Sequence, residues 1–255
     1  MVTAATRAAA LIASRAGARA ELEWRVKAHA DFVSDVDTSA ERVIRETLAE
    51  LAPGATVMGE EFSPETAPGD GAHFIVDPLD GTTNFLHGYP EYAVSIALVL
   101  DGVLSAGVVR NAATGELFTA ILGGGAERDG ARISVSPNTD PARALIGTGF
   151  PFRSFVHVKR YLRQFEAVSR ATSGIRRAGS AALDLCDVAC GRFDGFWELE
   201  LSPWDFSAGI LIIREAGGVV TTIDGTDVPY TPSSIVAGSA ALHAWLLETV
   251  NAPEP

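Results

Sequence analysis

The stretch Ile75-Val76-Asp77-Pro78-Leu79-Asp80-Gly81-Thr82-Thr83-Asn84-Phe85 (IVDPLDGTTNF, 75–85) decides how the rest of the chain is read. A β-rich run ends on Asp77, and the chain turns through Pro78 to Asp80 and Gly81. Two carboxylates three residues apart then point at one place. Gly81 frees the backbone to approach a ligand closely, and Thr82-Thr83 can open a helix whose unpaired N–H groups and positive dipole end suit a phosphate. An isolated Asp-Gly is ordinarily just a turn. Here two further acidic features accompany it: Gly59-Glu60-Glu61 after the preceding strand, and Pro203-Trp204-Asp205 at the start of a helix far along the chain.

Working outward, an Ala-rich first helix is followed by DFVSDVDTSAERVIRETLAEL, in which Thr38 and Glu41, three residues apart, read as a capping box opening a second helix with Asp37 at its entrance. ATVMG (55–59) and HFIVD (73–77) are short strands that stop at acids. From Tyr92 the pattern is an antiparallel meander: YAVSIALVL, VLSAGVV, ELFTAIL, a Gly-rich turn at Gly123 to Gly125, then ARISVS. Those glycines lack the spacing and the Lys-Ser/Thr of a nucleotide-binding loop and serve a turn. Beyond Pro141 strands and helices alternate: ALIGTGF, a helix from about Ser154 to Ala171, a helix through SAALDLCDVAC, the strand FDGFWELE, a helix after Trp204, VVTTI, SIVAG and a last helix. The layout is layered α/β, with no repeat at a solenoid period.

The 255 residues are 47% hydrophobic and 20% charged, the composition of a folded globular protein. No linker divides them, so one unit over 1–255 is expected, with a metal-site half at about 1–140 and a half at about 141–255 that carries Asp205 and the substrate contacts. A formal net charge of -12 argues against nucleic acid, whose binding rests on clustered Lys and Arg. The two cysteines, Cys186 and Cys190, make neither a disulfide framework nor a zinc set and are read as small buried hydrophobes in a reducing compartment. Five scattered histidines show no zinc-ligand spacing. At the start, Arg7, Arg15, Arg19 and Glu21 interrupt the apolar stretches below the roughly 20 residues a membrane span requires, and it does not read as a signal peptide. No membrane partner and a cytoplasmic location are expected.

GEE at 59–61, DPLDGTTNF at 77–85 and WDFSAG at 204–209 together resemble the signatures of the inositol monophosphatase family. Asp37, the GSAALDL stretch from Gly179 and EAGG at 215–218 extend the likeness over nearly the whole chain, and RRAGSAALDL and SPWDFSAG are similar to its bacterial branch. The resemblance implies an αβαβα layered sandwich, akin to fructose-1,6-bisphosphatase, with a largely antiparallel N-terminal sheet and a mixed C-terminal one. It also implies a homodimer, lithium inhibition and two or three magnesium ions per subunit. Carried over by position, Glu60, Asp77 and the Leu79 carbonyl would hold one ion, and Asp77, Asp80 and Asp205 a second. Glu60 and Thr82 would activate water, with Asp37 behind Thr82. Gly81 and Thr82 N–H groups would bind phosphate, and Gly179, Ser180, Ala181 and Glu198 would contact the polyol. Trp204, beside Asp205, is read as packing behind that ligand.

The expected activity is hydrolysis of inositol monophosphate or a similar polyol phosphate. Histidinol-phosphate phosphatase, fructose-1,6-bisphosphatase and nucleotide 3′-phosphatase share the metal motifs and differ in contacts to the rest of the substrate. A phosphatase-like regulatory protein that acts by binding partners is the reading from another class. Glu200, where the family commonly has a small residue, adds a negative charge near the second ion. Arg176 and Arg177 can pair with substrate or with the site's own acids, and the role of Glu61 stays open.

Overall fold

The structure, a computed structural model, describes residues 1–17, 24–28, 31–62, 69–151 and 155–253. The expected helix start near Ser154 lies outside these. The elements in chain order are α1 (Val2–Arg15), β1 (Trp24–Ala28), β2 (Asp31–Ser34), α2 (Asp35–Leu51), β3 (Thr56–Gly59), β4 (Ala72–Asp80) and α3 (Thr82–His87). There follow β5 (Ala93–Leu100), β6 (Val103–Asn111), β7 (Leu117–Ile121), β8 (Gly125–Arg128), β9 (Ala131–Arg132) and β10 (Leu145–Thr148). The chain ends with α4 (Val158–Ala171), β11 (Gly174–Arg176), α5 (Ala181–Ala189), β12 (Gly195–Leu201), α6 (Pro203–Glu215), β13 (Val219–Thr222), β14 (Ser233–Gly238) and α7 (Ala240–Val250).

Among the described residues, β3 to β9 form a seven-stranded sheet in sequential order, antiparallel except for the β3–β4 pair. A five-stranded mixed sheet has the order β11-β10-β12-β14-β13, with β10 parallel to both its neighbours. Helices α5 and α6 contact both sheets and so form the middle layer, while α1 and α2 cover the far face of the first sheet and α4 and α7 that of the second. This is the expected αβαβα sandwich, because each sheet must bury an apolar face on each side. The helix sequences match their layers. In α6, Ile210 to Ile213 are all buried, as a helix apolar all round requires, whereas α4, on the outside, buries Tyr161 and Val168 on one face only. No helix among the described residues is long and apolar enough to cross a membrane.

Several local expectations are corrected. Helix α2 begins four residues earlier than expected: Ser34 is its N-cap and Asp37, not Glu41, closes the capping box, with Ser34 N–H donating to Asp37 Oδ2 at 2.8 Å. Thr38 lies inside the helix and donates to Asp35 O. The β1–β2 hairpin and the three-residue β11 are absent from the sequence reading. ARISVS forms strand only at Ala131–Arg132, with Ile133 N–H donating on to Ala126 O, and the strand that precedes it begins at Gly125, inside the glycine cluster read as turn. Helix α6 starts at Pro203, so Trp204 and Asp205 belong to its first turn. Cys186 is fully buried and Cys190 half-buried, both as free thiols.

Candidate metal and phosphate site

Strand β4 is buried through its middle and carries the first two acids at its end. Its ladder with β5 runs regularly to Asp77, is displaced between Asp77 and Asp80, and then ends. Residues three apart in a regular strand face opposite sides, so this irregularity at Pro78 is what lets both carboxylates reach one place. Asp205 arrives from the first turn of α6, where it closes a capping box: Ser202 N–H donates to Asp205 Oδ2 at 2.7 Å. Carboxylate oxygens of Asp77, Asp80 and Asp205 all lie within 4.8 Å of one another.

Each of the three has one oxygen tied down by the protein. Asp77 Oδ1 accepts the Leu79 N–H at 2.9 Å. Asp80 Oδ2 accepts Ser180 Oγ–H at 2.6 Å and the Ala182 N–H at 2.7 Å, at the start of α5. Such outer hydrogen bonds fix ligand orientation before an ion arrives. The arrangement is also short of positive charge. Burial, and then the charges of Glu60, Asp80 and Asp205, push the Asp77 carboxyl well above the usual carboxylate range. Hard carboxylate oxygens converging in this way are the donor set of magnesium or calcium rather than of soft metals.

Beside the acids, Gly81 takes φ +90° and caps α3. A Cβ there would lie 2.7 Å from Glu91 O and 3.3 Å from Gly179 O, so both conformation and space demand glycine. The Thr82 hydroxyl lies 2.8 Å from Asp37 Oδ1 and 3.1 Å from Leu79 O. Asp37 is 1% exposed, and its burial raises its pKa against the opposing hydrogen bonds from Ser34 and Thr82. Asn84 Nδ2 donates to Glu91 O and to Ala178 O, joining α3 to the turn before α5.

One cleft is lined by Glu60, Asp77, Leu79, Asp80, Gly81, Thr82, Gly179, Ser180, Ala181, Glu198 and Asp205. Of the sequence-derived site residues only Asp37 is not in the lining; it sits behind Thr82. Arg177 and Glu200 line the cleft as well, whereas Arg176 and Glu61 do not. Glu200 adopts φ +57° at a register shift of β12, and its carboxylate meets His157 Nε2 at 3.0 Å. Trp204 is 9% exposed and its carbonyl accepts Ser95 Oγ–H at 3.3 Å, so its contribution to the site runs through the packing of α6 on the first sheet.

Sequence reasoning missed two groups. Thr148, Gly149, Phe150 and Pro151 form one wall. A Cβ on Gly149 would fall inside the Glu198 carboxylate, so this glycine makes room for it. Asp184 also lines the cleft. It is 1% exposed, its Oδ1 has no hydrogen-bond partner, and burial followed by the charge of Glu198 pushes its carboxyl well above the usual range. The available signal was Asp184, one of two acids in the otherwise apolar run AALDLCDVA, since acids are almost never fully buried without purpose.

The inositol monophosphatase family model matches residues 1–253. The chain is 45% identical over 256 residues to an inositol-1-monophosphatase of Rhizobium meliloti, covering 100% of this chain and 96% of that protein. It is 44% identical over 224 residues to the Nus factor SuhB of Pseudomonas aeruginosa, with 86% and 83% covered. The crystal structure of the extragenic suppressor protein suhB from Bartonella henselae superposes with a TM-score of 0.95 at 41% identity, covering 100% of this chain and 98% of that one. With its β4 acids, its α6 acid and its five layers all accounted for by one family over almost its entire length, the chain belongs to the inositol monophosphatase family.

Proposed function

We propose that the protein is a magnesium-dependent phosphomonoesterase that hydrolyses inositol monophosphate, or a similar polyol phosphate, to the alcohol and inorganic phosphate. The observation that carries the reading is the convergence of the Asp77, Asp80 and Asp205 carboxylates beside the Gly81–Thr82 turn, in a cleft whose other side bears Glu198 and the Gly179–Ala181 turn. Magnesium, two or three ions per subunit, would be held by Glu60, Asp77, the Leu79 carbonyl oxygen, Asp80 and Asp205. When bound, the ions polarise the phosphoryl oxygens, lower the pKa of coordinated water and neutralise the leaving oxygen.

The chain's own residues supply the rest. Backbone N–H groups of Gly81 and Thr82 hold the phosphate. The Thr82 hydroxyl, its proton directed to Asp37 Oδ1, keeps its lone pairs to accept a hydrogen bond from the attacking water and so position it, and the Glu60 carboxylate takes that water's proton. Glu198 accepts hydrogen bonds from substrate hydroxyls, so analogues without them would leave a carboxylate unsatisfied and bind poorly. We take 1–255 as one functional unit, acting in the cytoplasm as a homodimer and inhibited by lithium.

A panel of inositol 1-phosphate, histidinol phosphate, fructose-1,6-bisphosphate and adenosine 3′,5′-bisphosphate, assayed with and without magnesium, tests the proposal. Inositol 1-phosphate should lead and turnover should vanish with chelator; equal turnover after chelation sinks it. The name of the Pseudomonas relative supports a second reading, in which a member of this family acts by binding protein partners. Asp205→Asn separates the two, since it should abolish phosphate release and leave a binding role intact.

A further inference from the structure

Glu41 has no solvent exposure, yet it is a carboxylate in the middle of α2. Its contacts explain the placement. Oε2 accepts the Glu61 N–H at 2.7 Å. The same carboxylate fills the space that a Cβ on Gly59 would need. One side chain therefore grips both sequence neighbours of Glu60.

The grip is braced from behind. Glu41 Oε1 accepts from Arg45 Nε at 2.7 Å, one helical turn on, and Arg45 Nη2 donates to Val57 O at 3.2 Å in β3, the strand that ends at Gly59. Phe62, just past the turn, lies with its ring centroid 6.0 Å from the Arg45 guanidinium carbon. By contrast, the Glu60 backbone has a longer tie of its own, an N–H to Val76 O bond of 3.3 Å.

A buried ion pair is weak support for stability, because apolar residues of similar volume often serve a core as well or better. A carboxylate's oxygen acceptors can, however, hold a loop amide at a fixed place, which an apolar side chain cannot. The geometry points to Glu41, braced by Arg45, as the positioning residue that sets the Glu60 carboxylate toward the Asp77 cluster. This rests on the reading of Glu60 as a metal ligand, and the experiment separates the two.

The full-length protein is stripped with chelator and titrated with manganese alone, the free ion being followed by electron paramagnetic resonance, so that no turnover enters the readout. Glu60→Ala, Glu41→Ala, Glu41→Gln and Gly59→Ala are compared with the native chain, and the thermal midpoint of each is recorded in chelator. Glu41→Ala and Gly59→Ala should weaken manganese binding by about 10–100-fold, the usual cost of losing a group that orients a ligand, and Glu60→Ala, which removes the ligand itself, by at least as much. Glu41→Gln should fall between, since its carbonyl can still accept from Glu61 while its amide faces Arg45. At saturating manganese, KM for inositol 1-phosphate should stay native in Glu41→Gln.

If Glu60→Ala weakens binding while folded Glu41→Gln and Gly59→Ala titrate like the native chain, the positioning role is overturned and Glu60 keeps its own. A lowered thermal midpoint with an unmoved titration has the same meaning: Glu41 is then structural only. A native titration in Glu60→Ala overturns both. Should Glu41→Ala fail to fold, the Gln and Gly59 variants decide.

Discussion

Asp37 Oδ1 and the Thr82 hydroxyl meet at 2.8 Å although 45 positions separate them in the chain. The first residue of α3 is thereby oriented by the third residue of α2, which is itself fixed by two bonds from Ser34 to its other oxygen, at 2.8 and 2.6 Å. Asp37→Asn presents an amide where Oδ2 received two donors, or else turns that amide toward Thr82. In the first case Ser34 loses the acceptor that fixes this side chain against Thr82; in the second the Thr82 proton loses its own acceptor. The expected result is a fall in kcat of about 10–100-fold with KM nearly unchanged, in steady-state kinetics with inositol 1-phosphate. A native kcat in a folded variant would remove Thr82 orientation from the mechanism.

Ser180 has two roles: its hydroxyl donates to Asp80 Oδ2 and its oxygen caps α5 by accepting from Leu183 N–H. Ser180→Ala should cost about 1 kcal/mol of stability through the cap. It should also raise the magnesium concentration needed for half-maximal activity, because Asp80 Oδ2 loses the Ser180 hydroxyl that helps orient it. Denaturant unfolding and a magnesium titration of activity check the two effects separately.

Crowded acids without a cation destabilise the fold that gathers them. Magnesium should therefore raise the thermal midpoint of chelator-treated protein, by an amount corresponding to about 2.7 kcal/mol at a hundredfold excess over its dissociation constant. Asp205→Asn should show a smaller rise. Identical melting curves with and without magnesium would count against the metal assignment.

His243 is buried, its Nε2 2.9 Å from Thr221 Oγ1, and burial lowers its pKa from the ordinary 6.5. The unfolded chain therefore binds a proton at a pH where the folded chain does not, and stability must fall as the solution is acidified from pH 6.5 toward the folded pKa. His243→Gln has no such proton, so the slope of unfolding free energy over that window should flatten. Parallel pH series of denaturant midpoints measure it.

Glu200 holds a left-handed backbone that costs a residue with a Cβ about 1 kcal/mol relative to glycine. Its pairing with His157 is an exposed one and contributes little against that. Glu200→Gly should leave stability unchanged or raise it by up to about 1 kcal/mol, seen as a higher thermal midpoint. A clear loss would mean that the His157 contact is worth more than its exposure suggests.

The acids were readable because the chemistry compresses them into local spacing: Asp77 and Asp80 bracket one turn, and Asp205 opens one helix. The start of α2 was misread for an instructive reason. SDVDTSAE contains two consecutive capping patterns, Ser34 with Asp37 and Thr38 with Glu41, and local propensity does not decide between them. Tertiary contacts choose between them, since Thr82 reaches Asp37 and the Glu61 N–H claims Glu41. The β11 strand escaped because three residues carry no periodicity, and it exists through pairing with β10. Asp184 escaped because its meaning lies in an enclosure that only the docking of α5 against β12 creates.

Asp80, at the end of one sheet, is held by Ser180 and Ala182 from the helix wedged against the other, about a hundred positions downstream. A nascent or partly melted chain has its β4 acids but neither these donors nor Asp205. Under the proposed metal assignment, ion capture would have to wait for the second half of the polypeptide to arrive, and uptake of a divalent ion would report that maturation is complete.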